Sequence, residues 1–273
     1  MNGAHVPRGL EETTALAGED GAYSAVLSRD WEIWGPNGGY LAAIALRASG
    51  RLAEIPHPVS FYCHFLSSPA FAEVELSVEI LKRGRRAESL AVRMTQEGRP
   101  VLSALVRTAT DGEGHEHQEA SPPAVASPED SESIARVKDG KLLFPYWGNF
   151  SCRRAEDVEG GEEEPKGRAV IREWVRFEPA ASFADPFLEA ARPLILLDTF
   201  GWPAAWQRYG EETRVAPNLD TAAWFHHADP ASEWLLIDEE CHHAGGGLLG
   251  VAGRVWSQSG RLLASGGAQL KIA

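Results

Sequence analysis

Three polar residues in the C-terminal half of this chain have types and settings suited to activating a water molecule. Asp198 lies in Pro193-Leu194-Ile195-Leu196-Leu197-Asp198-Thr199-Phe200-Gly201-Trp202-Pro203, about as apolar a context as the sequence contains. Burial penalises the charged form, so a carboxylate held there gains a raised pKa and becomes a usable base, provided a partner satisfies it. The competing reading is an N-cap, since Asp before Thr-Phe-Gly can open a new helical segment. Gln269, in Ser265-Gly266-Gly267-Ala268-Gln269-Leu270, can hold a water or a carbonyl without charge, or is an ordinary solvent-facing strand residue. Asn218 heads Asn218-Leu219-Asp220-Thr221-Ala222-Ala223-Trp224-Phe225-His226 and is either a third such group or a turn residue at a strand start. Alternation sends Asp220 and Thr221 to opposite faces, so only one of them joins Asn218, and pattern does not choose between them.

The elements that must position these residues occur twice. Glu97-Gly98-Arg99 and Ser259-Gly260-Arg261 are both tight Gly-Arg turns entering an alternating apolar strand. In the first unit a short strand-like segment, 21–31, precedes the turn Pro36-Asn37-Gly38-Gly39. That turn launches Tyr40 to Ala48, Ala- and Leu-rich and apolar nearly all round, which predicts a buried helix. Strand-like segments follow at 58–66, 72–82, 86–96 and 100–110; in the second, Val74, Leu76, Val78 and Ile80 face away from Glu73, Glu75, Ser77 and Glu79. The second unit repeats the order, with strands at 144–154 and 168–177, a helical region within 185–209, and strands near 219–226, 234–243, 248–256 and 261–272. A helix followed by antiparallel strands, twice over, predicts an α+β protein of two units, each a sheet wrapped around one helix. The expected division is an N-terminal unit at 1–115, an acidic, Pro-rich linker at 116–140 unable to bury much, and a C-terminal unit at 141–273 interrupted by an acidic loop at 156–164. Tyr40 to Ala48 contains no acid, whereas a cap would be expected in both copies, which favours the base reading of Asp198.

Composition narrows the classes. A chain of 273 residues with 44% hydrophobic content supports two ordinary domains, and a net charge of -13 argues against nucleic acid, which is bound mainly through Lys and Arg. Three cysteines without CxxC spacing (Cys63, Cys152, Cys241) suit a reducing cytoplasm and exclude a disulfide scaffold. Residues 1–20 hold no apolar leader core and no stretch is long enough to span a bilayer, so a soluble, cytoplasmic protein is expected. Gly245 to Gly250 fits GxGxxG but leads into a strand rather than a helix, which makes it a hairpin turn. No GxSxG elbow occurs, and the pairs His226-His227 and His242-His243 point to opposite faces of strands, so neither a serine nucleophile nor a bound metal is expected.

Together, Asp198 with Pro203, Leu219-Asp220 through Trp224-Phe225-His226, Glu233-Trp234-Leu235-Leu236, and Gly260-Arg261-Leu262-Leu263-Ala264-Ser265 through Gln269 resemble the acyl-CoA thioesterase II-like family. The first half is similar too, in Gly38-Gly39-Tyr40, His57-Pro58-Val59-Ser60 to Phe65-Leu66, and Gly84-Arg85-Arg86 to Gln96-Glu97-Gly98-Arg99. The resemblance runs from about Trp31 to the C-terminus and implies a double hotdog fold.

In that family an Asp on the second hotdog helix, a Thr or Ser opening the next strand and a Gln in the last strand arrange the water that hydrolyses the thioester. Asp198 and Gln269 stand at the first and third positions. The middle one falls on Asn218, or on Thr221 if the register slips; an amide orients water but cannot relay a proton as a hydroxyl can. The resemblance implies an acyl-CoA substrate and no cofactor beyond the coenzyme A it carries. Gly38 and Gly39 become candidate oxyanion or phosphate donors at a helix N-terminus, or a turn that needs Gly. Arg83, Arg85 and Arg86 become candidate contacts to the coenzyme A phosphates, or a solvated basic hairpin. Hotdog sheets associate side by side, so the halves are expected to pair and the chain to form a homodimer or higher oligomer. A hotdog that binds an acyl or aromatic ligand without turnover, or serves as a scaffold, is the alternative; Asn218 and Trp202, Trp206, Trp224, Trp234 and Trp256 would suit it.

Overall fold

The computed structural model describes residues 7–158, 167–210 and 214–272. Helix α1 (Gly9–Thr13) and strands β1 (Ala17–Glu19) and β2 (Ala22–Val26) precede helix α2 (Gly38–Gly50) and strands β3 (Pro58–Phe65), β4 (Glu73–Arg83), β5 (Ala87–Gln96) and β6 (Arg99–Ala109). A small hairpin, β7 (Val137–Lys138) and β8 (Lys141–Leu142), leads to β9 (Phe150–Arg154), β10 (Val170–Phe177), α3 (Pro186–Thr199) and α4 (Gly201–Tyr209). Strands β11 (Asp220–Phe225), β12 (Trp234–Gly245), β13 (Leu248–Ser257) and β14 (Leu262–Lys271) complete the chain.

Twelve strands form one antiparallel sheet in the order β1-β2-β4-β5-β6-β3-β11-β14-β13-β12-β10-β9. The series β2-β4-β5-β6-β3 is repeated as β10-β12-β13-β14-β11, and the two series meet where β3 pairs with β11, Tyr62 opposite Ala222. The repeat seen in the sequence is thus a structural duplication, and the architecture is the expected α+β double hotdog. Alternation does the folding work here: Val74, Leu76 and Val78 on β4 are buried while Glu73, Glu75, Ser77 and Glu79 are exposed.

The two buried helices pack on each other across the join. Asn37 caps α2 by accepting the Tyr40 N–H at 2.9 Å. In α3, Asp185 accepts the Phe187 N–H at 2.9 Å and Pro186 sits at the first position, where a missing N–H costs nothing. Close approach of the helices depends on Gly39, because a Cβ there would lie 2.9 Å from the Ile195 Cα. The helical region within 185–209 is two helices, with α4 beginning just after Phe200.

Residues 116–140 bury little but run along the second unit: Gln118 bonds the Gly260 carbonyl and the Leu262 N–H, Val125 bridges Asp157, and Ile134 packs on the main core. A few apolar residues spaced along a polar segment suffice to lay it on the second unit, a pattern that composition averages away. The acidic loop expected at 156–164 lies from residue 159 onward outside the described residues. No described helix is long and apolar enough to cross a membrane.

Candidate active site

Asp198 occupies the last turn of α3, buried to 5% exposure, and is not the N-cap of α4, a position held by Phe200. Its Oδ1 accepts the Thr221 hydroxyl at 2.6 Å and the Asn218 side-chain amide at 2.8 Å, and its carboxylate also accepts the Gly39 backbone N–H. The same Asn218 amide bonds the Asp198 carbonyl at 2.7 Å, which ties the strand entrance to the helix end. Burial pushes the Asp198 carboxyl up to about 6, with the bonds from Thr221, Asn218 and Gly39 pulling the other way. Its position at the C-terminus of α3 adds no support to a negative charge, whereas the facing N-terminus of α2 does. The remaining polar contacts lock this geometry: Thr199 Oγ1 meets both Asn37 Nδ2, at 3.2 Å, and the Tyr146 hydroxyl, at 2.8 Å.

Asn218 and Thr221 reach one carboxylate because the strand is irregular between them. Asn218 bridges Leu270 and Ala222 pairs with Gly267, so three residues on one strand face two on the other, a β-bulge. Within it the Asp220 carboxylate accepts the Gln269 N–H at 3.0 Å. Regular alternation would have brought Asp220, not Thr221, to the face of Asn218.

Alternation along β14 decides Gln269. Ala268 and Leu270 pack beneath α4 with Ala205 and Val251, so the residue between them points to the opposite face, and Gln269 is exposed. The structure does not bring Gln269 to Asp198, and the reading of it as a water ligand is corrected; Ala268 holds the inward position. Gly38 and Gly39 divide. The Gly39 N–H is taken by Asp198, and Tyr40 N–H by the Asn37 cap, which leaves Gly38 with the one unengaged N–H in the first turn of α2 among the described residues. Gly38 must lack a side chain, since a Cβ would lie 2.9 Å from Asp198 Oδ2. The arginine expectation is corrected as well. Arg83 is bound by the buried Glu88 at 2.6 Å and by Glu54 at 2.7 Å, while Arg85 and Arg86 are exposed on the hairpin; none of the three lines the cavity described next.

Asp198, Asn218 and Gly38 open on a cavity of about 830 Å³ between the two units. Its wall is mostly apolar and aromatic, including Leu41, Phe65, Trp34, Trp147, Trp202 and Trp206. Trp202 stands edge-on to Trp34 at 5.5 Å and tilted on Trp206 at 5.3 Å. Trp224, Trp234 and Trp256, grouped with Trp202 and Trp206 by sequence, do not take part: Trp224 is exposed, and Trp234 and Trp256 are buried in a cluster on the other face of the sheet.

Among the ionisable groups that escaped the sequence reading are Arg136 and Glu239. Arg136 lies in the segment expected to be a linker and forms part of the cavity wall, held by Glu173. Glu239, on β12, has both carboxylate oxygens buried without a hydrogen-bond partner among the described residues, and burial, then Asp198 and Asp238, push its pKa well above the usual carboxylate range. A glutamate at the inward parity of the run Leu235, Ile237, Glu239 was the available signal. Among the described residues no group of His, Cys, Asp and Glu could hold a metal ion.

Comparison with known proteins matches the acyl-CoA thioesterase N-terminal domain to residues 27–109 and the acyl-CoA thioesterase C-terminal domain to residues 118–269. The human acyl-coenzyme A thioesterase 8 is 25% identical over 247 residues, covering 82% of this chain and 76% of that protein. A putative thioesterase from Novosphingobium aromaticivorans is 26% identical with a TM-score of 0.79, covering 95% of this chain and 98% of its own. A putative thioesterase II from Thermobifida fusca, at 20% identity and a TM-score of 0.82, shares the fold over 97% of this chain and 98% of its own. The chain belongs to the acyl-CoA thioesterase II-like family.

Proposed function

We propose that this protein hydrolyses acyl-CoA thioesters with a water held by Asp198, Thr221 and Asn218. The observation that carries the reading is the buried Asp198 carboxylate, bonded by Thr221 and Asn218 through Oδ1, at the wall of an apolar cavity large enough for an acyl group. With the pKa near 6, Asp198 is ionised at neutral pH yet more basic than a solvated aspartate, as a general base requires. Asp198 takes a proton from the water as it attacks the thioester carbon. The Gly38 N–H, at the positive end of α2, receives the developing oxyanion. The thiolate of coenzyme A then leaves without a covalent acyl-enzyme.

The family's chemical set of carboxylate, hydroxyl and amide is retained but redistributed. Thr221 supplies the hydroxyl and Asn218 the amide that Gln269, on the far face, does not. Ala268 in the inward position is the observation favouring a second reading, a hotdog that binds acyl thioesters without turnover. Steady-state hydrolysis over a series of acyl-CoA chain lengths separates the two. Turnover that falls on the order of 10²–10⁴-fold in Asp198→Asn supports the mechanism. Undiminished turnover in that variant sinks it, and tight binding with no turnover by the wild-type protein selects the second reading.

A further inference from the structure

Thr199 and Tyr146 leave one proton over. Thr199 Oγ1 accepts the Asn37 side-chain amide at 3.2 Å and lies 2.8 Å from the Tyr146 hydroxyl, and neither hydroxyl has another partner among the described residues. Two hydroxyls that share one hydrogen bond use one of their two protons, so the other has no protein acceptor. Burial decides whose it is. Tyr146 is 0% exposed, is no part of the cavity wall and packs against Trp31, Trp147 and Phe150. A phenolic proton pointing elsewhere would be stranded there, a cost that donation to Thr199 removes. Thr199, 9% exposed, lines the cavity beside Asp198. With Tyr146 and Asn37 both donating, the two lone pairs of Thr199 Oγ1 are filled and its own O–H is held in the direction that remains.

Asn37, which donates to Thr199, immediately precedes Gly38, so this O–H stands at the same end of α2 as the unengaged Gly38 N–H. No bond joins Thr199 to the Asp198 carboxylate, which takes its hydrogen bonds from Thr221, Asn218 and Gly39. A donor oriented by its neighbours and not consumed by the base suits an oxygen that gains charge. We propose that Thr199 is a further catalytic residue, its hydroxyl meeting the thioester carbonyl oxygen together with the Gly38 N–H as the second donor of the oxyanion hole. This rests on the thioester-hydrolase reading above. As the water oxygen bonds to the carbonyl carbon, the C=O π pair moves onto oxygen, where the two donors hold it without transferring a proton. When that pair returns, the C–S bond breaks and the thiolate leaves. Tyr146 is then a positioning residue that turns the Thr199 proton towards the cavity.

Thr199→Val is expected to lower kcat about 10²-fold with a much smaller change in KM, because the bond strengthens as charge develops, and Thr199→Ser to restore most of the rate. Tyr146→Phe combined with Thr199→Val removes the phenol that the single substitution would strand, and kcat is expected to stay as low. Recovery in that double variant would assign the loss to packing and overturn the proposal, as would Thr199→Val with undiminished kcat. The direct readout is the carbonyl stretch of a bound ketone analogue of acyl-CoA, in which a methylene replaces the sulfur and hydrolysis is impossible. Its frequency is expected to be lower in wild type than in Thr199→Val; equal frequencies, or a ketone that does not bind, overturn the proposal. A wild-type protein that lowers the ketone frequency through Thr199 yet hydrolyses no thioester overturns the functional reading alone.

Discussion

Gly39 on α2 and Asp198 on α3 come from different halves of the duplication, yet the N–H of one donates to the carboxylate of the other, and a Cβ on residue 39 would lie 3.1 Å from the Asp198 Cβ. The site is therefore a product of the join between units. The same Cβ would stand 2.9 Å from the Ile195 Cα, backbone that cannot swing aside. Gly39→Ala is expected to destabilise the protein by about 1–3 kcal/mol in urea denaturation and to lower kcat as Asp198 shifts. A variant as stable and as active as wild type would show that the helices do not need this approach.

Thr221 and Asn218 act on one oxygen but differ in what they supply. Thr221→Val keeps shape and removes the hydroxyl donor at 2.6 Å, so kcat is expected to fall roughly 10–100-fold, the worth of a hydrogen bond to a charged group. Because that bond holds the Asp198 pKa down, the acid limb of the pH profile should move to higher pH. Thr221→Ser should restore both. Gln269→Ala, altering the opposite face, is the control that leaves both unchanged, and an equal loss there would put Gln269 back in the site.

How much of this was legible follows from the physics of each residue. Asp198 could be read because an acid in an apolar helix has few structural reasons to exist, and the duplication supplied a copy without one. The order of strands was legible because Val74 to Ile80 and its counterparts alternate cleanly. Pattern left Asp220 and Thr221 undecided because a one-residue bulge at Leu219 and Asp220 shifts parity there, and the Asp220 side chain bonding the Gln269 N–H is a tertiary contact without a local signature; Gln269, carried over by resemblance, stands one residue from the inward Ala268. Arg136 was hidden for a related reason. Its segment looks solvated by composition, and only Ile134 and the pairing with Glu173 bring it inside.

Asp198 couples activity to stability with opposite signs. Its carboxyl is raised from 3.8 to about 6, so the folded state binds the proton more tightly than the unfolded one. The associated stability is fully present below about pH 4 and is lost as pH rises through 6, in total about 3 kcal/mol. Activity runs the other way, rising with pH through about 6 as the base ionises. Asp198→Asn should be inactive and, above pH 6, more stable than wild type. Denaturation at pH 4 and pH 8 checks this, and a variant whose advantage does not grow between them contradicts the assigned pKa.

Glu239 should show the same sign of linkage without any share in catalysis. It faces inward on β12, pairs across the sheet with Ile171 on one side and Gly253 on the other, and has no partner for either oxygen among the described residues. Burial raises its pKa, so the stability it confers as a neutral acid is present below its ordinary value and is lost as pH rises towards the folded one. Glu239→Met fills similar space with no polar group, and is expected to stabilise the fold by about 1–3 kcal/mol at neutral pH. The advantage over wild type should widen between pH 5 and pH 9, since titrations shared by both proteins cancel in the difference. Because Glu239 is not part of the cavity wall, kcat/KM should stay within about twofold. A stability gap that narrows as pH rises would show that this carboxyl is ionised in the fold and has a partner.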